Sequence, residues 1–182
     1  MASNTLNGVD PTQNATLAEI ESKTGRNNFY RMMAHRPEAM QAFQGLYKSI
    51  MGPGVLDRRL KEMIYLAVSC VNECDYCTAH HLKGARAAGL TESEIYEIQA
   101  ENNQHFTPKE QAALHYTREL TRTADVEGVH RFAVEELFST DQIVEMTMTV
   151  CLANFTNRFN NGLETPVEAM ASSAAPIPRS VG

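Results

Sequence analysis

Apolar positions along the chain recur every three or four residues, the period of helices that bury one face. Alternation with period two, the mark of a half-buried strand, does not persist over any convincing stretch. TLAEIESKTG predicts a first amphipathic helix ending at Gly25, and NNFYRMMAH a short second one. Pro37 suits the first turn of a third, which runs to about Ile50 and is stopped by MGPG, Met51 to Gly54. From Leu56 to about Val71 the chain starts charged and becomes apolar almost all round, the pattern of a helix entering a core. Thr91-Glu-Ser-Glu94 and Thr107-Pro-Lys-Glu110 are capping boxes, so each opens a helix. The second, to about Ala124, puts Ala112, Ala113, Tyr116 and Leu120 on one face. Ser139 starts a last long helix through the nearly continuous apolar run IVEMTMTVCLANF, ended by Asn161-Gly162. The predicted fold class is all-α, a single-domain helical bundle over residues 16–164, with a flexible arm over 1–15 and an extended tail over 165–182.

Composition narrows the function. A net charge of -6 gives no electrostatic footprint for nucleic acid and no basic run for an anionic membrane. No apolar run reaches the roughly 20 residues of a membrane span, and the polar start MASNTLNGVDPTQN has no apolar signal core, so the expected location is cytoplasmic. Four cysteines, Cys70, Cys74, Cys77 and Cys151, are too few for a disulfide framework. In a reducing compartment a Cys-x-x-Cys pair points to redox or metal chemistry.

The stretch CDYCTAHH, residues 74 to 81, concentrates that chemistry. On one straight helix Cys70, Cys74, Cys77 and His81 would share a face but span about 16 Å, too long for a single tetrahedral metal. No second Cys/His pair supplies a distant donor, so no metal or cofactor is expected. Asn72 is a common helix-stop residue and Asp75 a good N-cap, which predicts a reversal between them. Cys77 then falls in the first turn of the new helix, where the macrodipole favours a thiolate, with Cys74 just outside. His81, four residues on, shares its face and can take the thiol proton. With the reversal, Glu62 and His81 differ by only about 4 to 5 Å in axial height, so a carboxylate on an apolar helix finds an imidazole partner. Cys70 and Cys151, in apolar segments, are expected to be buried core thiols. His80 reads as a boundary residue, and His35, His105, His115 and His130 as structural.

Glu62, eleven residues, Cys74, two residues, Cys77, three residues and His81 reproduce the Glu-x11-Cys-x2-Cys-x3-His pattern, and the chain resembles the alkylhydroperoxidase D-like proteins of the carboxymuconolactone decarboxylase superfamily. NRFNNGLETP, Asn157 to Pro166, is similar to a C-terminal stretch of the peroxidase-related members. The resemblance covers roughly residues 28–90 and 145–166. It implies an all-helical homo-oligomer, trimer or hexamer, that reduces hydroperoxides without a cofactor. It further implies that Cys77 is the peroxidatic thiolate, that Cys74 resolves it into a disulfide, and that Glu62 and His81 relay protons. A dithiol donor, such as a lipoyl group on a partner protein, would restore the pair. Where the founding member has a histidine directly before the second cysteine this chain has Tyr76, as many relatives do, an accessory position beside the relay.

The leading expectation is thus a thiol-dependent peroxidase. One rival is lactone decarboxylation, the other chemistry of the superfamily, which needs no cysteine pair. Another is a non-catalytic redox-sensing or assembly module, and a zinc-binding module is the weakest.

Overall fold

The computed structural model describes residues 6–168, and among them the all-α expectation holds, with nine helices and no strand. They are α1 Ala15–Thr24, α2 Asn28–Met33, α3 Pro37–Met51, α4 Arg58–Val71, α5 Asp75–Ala87, α6 Glu92–Gln99, α7 Pro108–Thr123, α8 Gly128–Leu137 and α9 Thr140–Gly162. Their starts follow from capping chemistry. The side chains of Asn14, Asn27 and Asp57 accept the N–H groups of Leu17, Tyr30 and Leu60. Thr91, Thr107 and Ser139 each close a full capping box. One helix carries no expectation from the sequence. Helix α8 has no capping side chain at Glu127, opens on Gly128 and buries only Val134, so neither its cap nor its apolar face announces it.

Helix α4 is the axis of the molecule. Met63, Ile64, Leu66, Ala67 and Val68 are fully buried, and α5, α6, α7 and α9 pack around them. Its first turns hold two consecutive buried charges that leave in different directions. Lys61 is completely buried and donates to the carbonyls of Ile50 and Gly52, both at 2.8 Å, and to Glu145 of α9. The Glu145 carboxylate also accepts the backbone N–H groups of Val55 and Leu56, at 2.7 and 2.8 Å, and so fastens the α3–α4 loop to α9. Gly54 makes the approach possible, since a Cβ there would lie 1.9 Å from a Glu145 oxygen. Burial opposes the ionisation of Glu145, but the ammonium and backbone donors outweigh it and lower its pKa.

The reversal after α4 is built by a Schellman motif. The N–H of Glu73 donates to the Cys70 carbonyl at 3.1 Å and that of Cys74 to Ser69 at 3.0 Å, with Glu73 left-handed at φ 49°. The stop at Asn72 is as predicted, but Asp75 is not the N-cap. Cys74 is the cap, and Asp75 is the first helical residue. The motif consumes Glu73 and Cys74 in ending α4, so α5 has to start on the cysteine.

The arm predicted over residues 1–15 is partly laid on the fold. Val9 donates to the Arg31 carbonyl at 2.9 Å, the ring of His35 lies 2.9 Å from the Asn7 carbonyl, and Pro11–Gln13 form a 3-10 turn. Of the tail, Thr165 to Glu168 lie against the helices, while the rest falls outside the described residues. Cys151 contradicts its expected burial: it is exposed, because α9 is apolar on its outer side as well as its inner one. Cys70 is only partly buried. No described helix is long and apolar enough to cross a membrane.

Candidate active site

The sharp reversal sets α5 against α4 and places His81 opposite Glu62, Nδ1 to Oε2 2.8 Å, both buried. A carboxylate only accepts, so His81 Nδ1 carries the hydrogen and Nε2 keeps a lone pair for a proton. The ring is clamped by Tyr65, stacked at 3.6 Å and tilted by 16°. The Tyr65 hydroxyl is in turn 2.6 Å from Thr156 Oγ1. Arg58 Nη2 reaches the other Glu62 oxygen at 3.6 Å. The carboxylate can enter this space only because residue 84 is glycine, where a Cβ would come within 2.3 Å of Glu62 Oε2.

Cys74 and Cys77 are both free thiols and nearly buried, 1% and 4% exposed. They are not equivalent. A hydrogen bond from Cys74 lowers the pKa of Cys77, and although burial opposes it, Asn160, His81 and Asn157 add to the lowering. Asn160 Nδ2 donates to Cys77 Sγ at 3.3 Å. The same hydrogen bond, with burial, pushes Cys74 strongly up. The arrangement therefore favours the thiolate at Cys77 over Cys74.

Asparagines of α9 brace the reversal itself. Asn72 Nδ2 donates to Asn154 and Asn157 Oδ1, both at 3.0 Å, and Asn161 Nδ2 donates to the Asn72 carbonyl at 2.8 Å. Asn160 is the member of this set that turns to sulfur. Sequence reasoning did not single it out, although Asn154, Asn157 and Asn160, spaced three apart in an apolar helix, are polar groups on a buried face and could have been flagged.

Tyr76 lies on the other side of the pair. Its hydroxyl accepts the Phe29 N–H at 3.1 Å and donates to Glu168 Oε1 at 2.8 Å. Glu168 also accepts the Asn28 N–H at 2.6 Å and lies 2.8 Å from His80 Nε2. Burial opposes its ionisation, but His80, the Asn28 N–H and Tyr76 hold its pKa at about 2. Glu168 thus ties the tail to the middle of the cysteine motif, and His80, read as a boundary residue, is one of its anchors. Nothing in the sequence near Glu168 marks it.

Cys77 and His81 open on one cavity of about 460 Å³, whose walls include Tyr30, Phe43, Tyr47 and Tyr65. Burial raises the phenol pKa of Tyr30, Tyr47 and Tyr65, so these hydroxyls stay protonated. Among the described residues no group of three His, Cys, Asp or Glu side chains is placed to hold a metal ion. Cys70 and Cys151 take no part in the site, and His35, His105, His115 and His130 do not line its cavity.

Residues 37–119, which carry Glu62, both motif cysteines and His81, match the carboxymuconolactone decarboxylase family. The uncharacterised protein YdfG of Bacillus subtilis is 32% identical over 130 residues, 68% of this chain and 86% of its own length. An uncharacterised protein of the Paracoccus denitrificans cox locus is 43% identical over 56 residues, 31% of this chain and 50% of that protein. The alkyl hydroperoxide reductase AhpD of Mycobacteroides abscessus is 36% identical over 72 residues, 39% of this chain and 41% of that one. Among solved structures the debrominase Bmp8 shares the fold, with a TM-score of 0.83 over 95% of this chain and 97% of that one at 19% identity. The chain belongs to the carboxymuconolactone decarboxylase superfamily, with alkylhydroperoxidase D-like relatives.

Proposed function

We propose that the chain is a thiol-dependent peroxidase that reduces hydroperoxides with Cys77 and Cys74 as its redox pair. The supporting observation is a single acidified sulfur, at Cys77, held beside a carboxylate-paired imidazole at the wall of an open cavity. The Cys77 thiolate attacks the nearer peroxide oxygen and the O–O bond breaks. The departing alkoxide takes a proton through His81 and leaves as alcohol, and Cys77 becomes a sulfenic acid. Cys74 gives up its proton, its sulfur displaces the sulfenic oxygen as water, and the S–S bond forms. An external dithiol, of the lipoyl type, then reopens the disulfide by exchange and leaves oxidised. Glu62 holds the imidazole in the tautomer that presents Nε2. This chemistry uses no cofactor and suits the reducing cytoplasm.

The test is a count of free thiols before and after one equivalent of an organic hydroperoxide, with the new disulfide mapped. Loss of two thiols at Cys74 and Cys77 is expected. Cys77→Ser should abolish turnover, and Cys74→Ser should leave a sulfenic acid that can be trapped. Turnover by Cys77→Ser at the wild-type rate would reject the reading. An activity indifferent to thiol alkylation would favour lactone decarboxylation, and a disulfide without turnover would favour a redox sensor.

A further inference from the structure

Phe29, Tyr30, Phe43, Tyr47, Tyr65 and Tyr76 all line the cavity that Cys77 and His81 open on. They come from α2, α3, α4 and α5, and many of the rings meet edge to face. Phe29 and Phe43 cross at 65°, Tyr30 and Phe43 at 62°, and Tyr47 and Tyr65 at 63°. The walls thus combine ring edges with ring faces, the two surfaces an aromatic guest packs against best. The volume of about 460 Å³ is that of a pocket for a whole organic molecule, far more than a peroxide group fills.

The tyrosines are not alike in their hydroxyls. That of Tyr65 lies 2.6 Å from Thr156 Oγ1, that of Tyr76 donates to Glu168 at 2.8 Å, and that of Tyr116 lies 2.8 Å from Thr147 Oγ1. Tyr96 faces solvent, 69% exposed. Tyr30 and Tyr47 are packed into the cavity wall, yet among the described residues their hydroxyls have no hydrogen-bond partner. A phenol in such a place ordinarily finds one. Burial keeps both protonated, so each has a hydrogen to give. Tyr47 feels Glu62, Tyr30 and Cys77, and Tyr65 feels Tyr47, Cys77 and Tyr30, so the phenol ends gather about the sulfur.

Given peroxide reduction at Cys77, we propose that the Tyr30 and Tyr47 hydroxyls bind the oxygen that departs from the peroxide, and that the rings around them select a hydroperoxide with an aryl body. Sulfur bonds to the terminal oxygen, the O–O bond breaks, and its electron pair passes to the inner oxygen. Both phenols donate hydrogen bonds to that alkoxide and keep their own protons, while His81 delivers the proton that Cys77 gave up. The products are a sulfenic acid and an alcohol. Neither tyrosine belongs to the Glu-x11-Cys-x2-Cys-x3-His pattern; they stand on α2 and α3.

The rate of Cys77 oxidation, followed by quenched flow and mass spectrometry on the reduced full-length chain, tests the proposal. The probes share a carbon count: 3-phenylpropyl hydroperoxide, nonyl hydroperoxide, and 3-phenylperoxypropionic acid, which releases a weakly basic carboxylate in place of an alkoxide. The aryl hydroperoxide should react about fivefold faster than the nonyl one. Tyr30→Phe and Tyr47→Phe should each slow it about tenfold. The same variants should slow the peroxy acid less than about twofold, because its leaving group needs little help. Tyr116→Phe, outside the cavity, should change neither rate. Equal rates for the aryl and nonyl hydroperoxides overturn the substrate class. An unchanged aryl hydroperoxide rate in both variants overturns the role of the hydroxyls, as does equal slowing of hydroperoxide and peroxy acid, the mark of a merely structural effect. In each of those cases Cys77 is still oxidised and the peroxidase function stands. A Cys77 that none of the probes oxidises overturns both together.

Discussion

Lys61 and Glu62 are neighbours in sequence, both buried on α4, and both paired with an opposite or titratable partner on another helix. The two pairs are nevertheless finished differently. Lys61 has three hydrogens and three acceptors, and Glu145 answers it while also binding two backbone amides. Nothing is left over, so the group can only hold the α3–α4 loop to α9. The pair of Glu62 with His81 is open at one end, where a ring nitrogen is left free in the cavity that also receives Cys77. A buried charge with every bond satisfied is a fastening. A buried charge whose partner keeps one site free can move a proton.

That contrast can be broken from either side. Lys61→Met should have the largest effect, a loss of about 3–5 kcal/mol in unfolding free energy, because it leaves the Glu145 carboxylate without its counter-charge and the Ile50 and Gly52 carbonyls without a donor. Chemical denaturation measures it, and Cys77 alkylation in the folded fraction should be unchanged. Glu62→Gln should do the reverse, cutting peroxide turnover about 100-fold with a far smaller shift in the denaturation midpoint. A Glu62→Gln protein that unfolds as readily as Lys61→Met would erase the distinction. Asn160→Ala comes next. The thiolate of Cys77 is favoured over an ordinary cysteine, so alkylation should persist as pH falls and fade only through the lowered pKa. Removing a donor to the charged sulfur raises that pKa, and the midpoint of the iodoacetamide pH profile should move up by about one unit. The smallest effect belongs to the reversal that sets His81 against Glu62. Glu73→Gly removes a left-handed non-glycine residue and should stabilise the fold by about 0.5–1 kcal/mol, read by thermal unfolding, with thiol reactivity kept.

What could be read in advance divides along the same physical line. The helices with caps and an apolar stripe were legible because Thr91, Thr107, Ser139 and Pro37 announce themselves within one turn. The approach of Glu62 to His81 followed from one inferred reversal and the rise of a helix. Glu168 was not legible, because it acts 92 residues away along the chain, and Asn160 showed only as a polar group on a buried face, its sulfur partner lying 83 residues away. Nothing in the sequence marks Gly84, because the Glu62 carboxylate that occupies the place of its side chain comes from another helix. Asp75 lost the cap to Cys74 because the turn that ends α4 and the turn that starts α5 share a residue. Cys151 looked buried because an apolar run does not state how many of its sides the fold will cover.

The bond from Asn160 to Cys77 closes 83 residues of chain. During synthesis the motif leaves the ribosome well before that asparagine is made. Until the final helix docks, the nascent Cys77 lacks this donor. The last helix thus supplies one of the groups that lower the Cys77 pKa, and that contribution is missing until the helix docks.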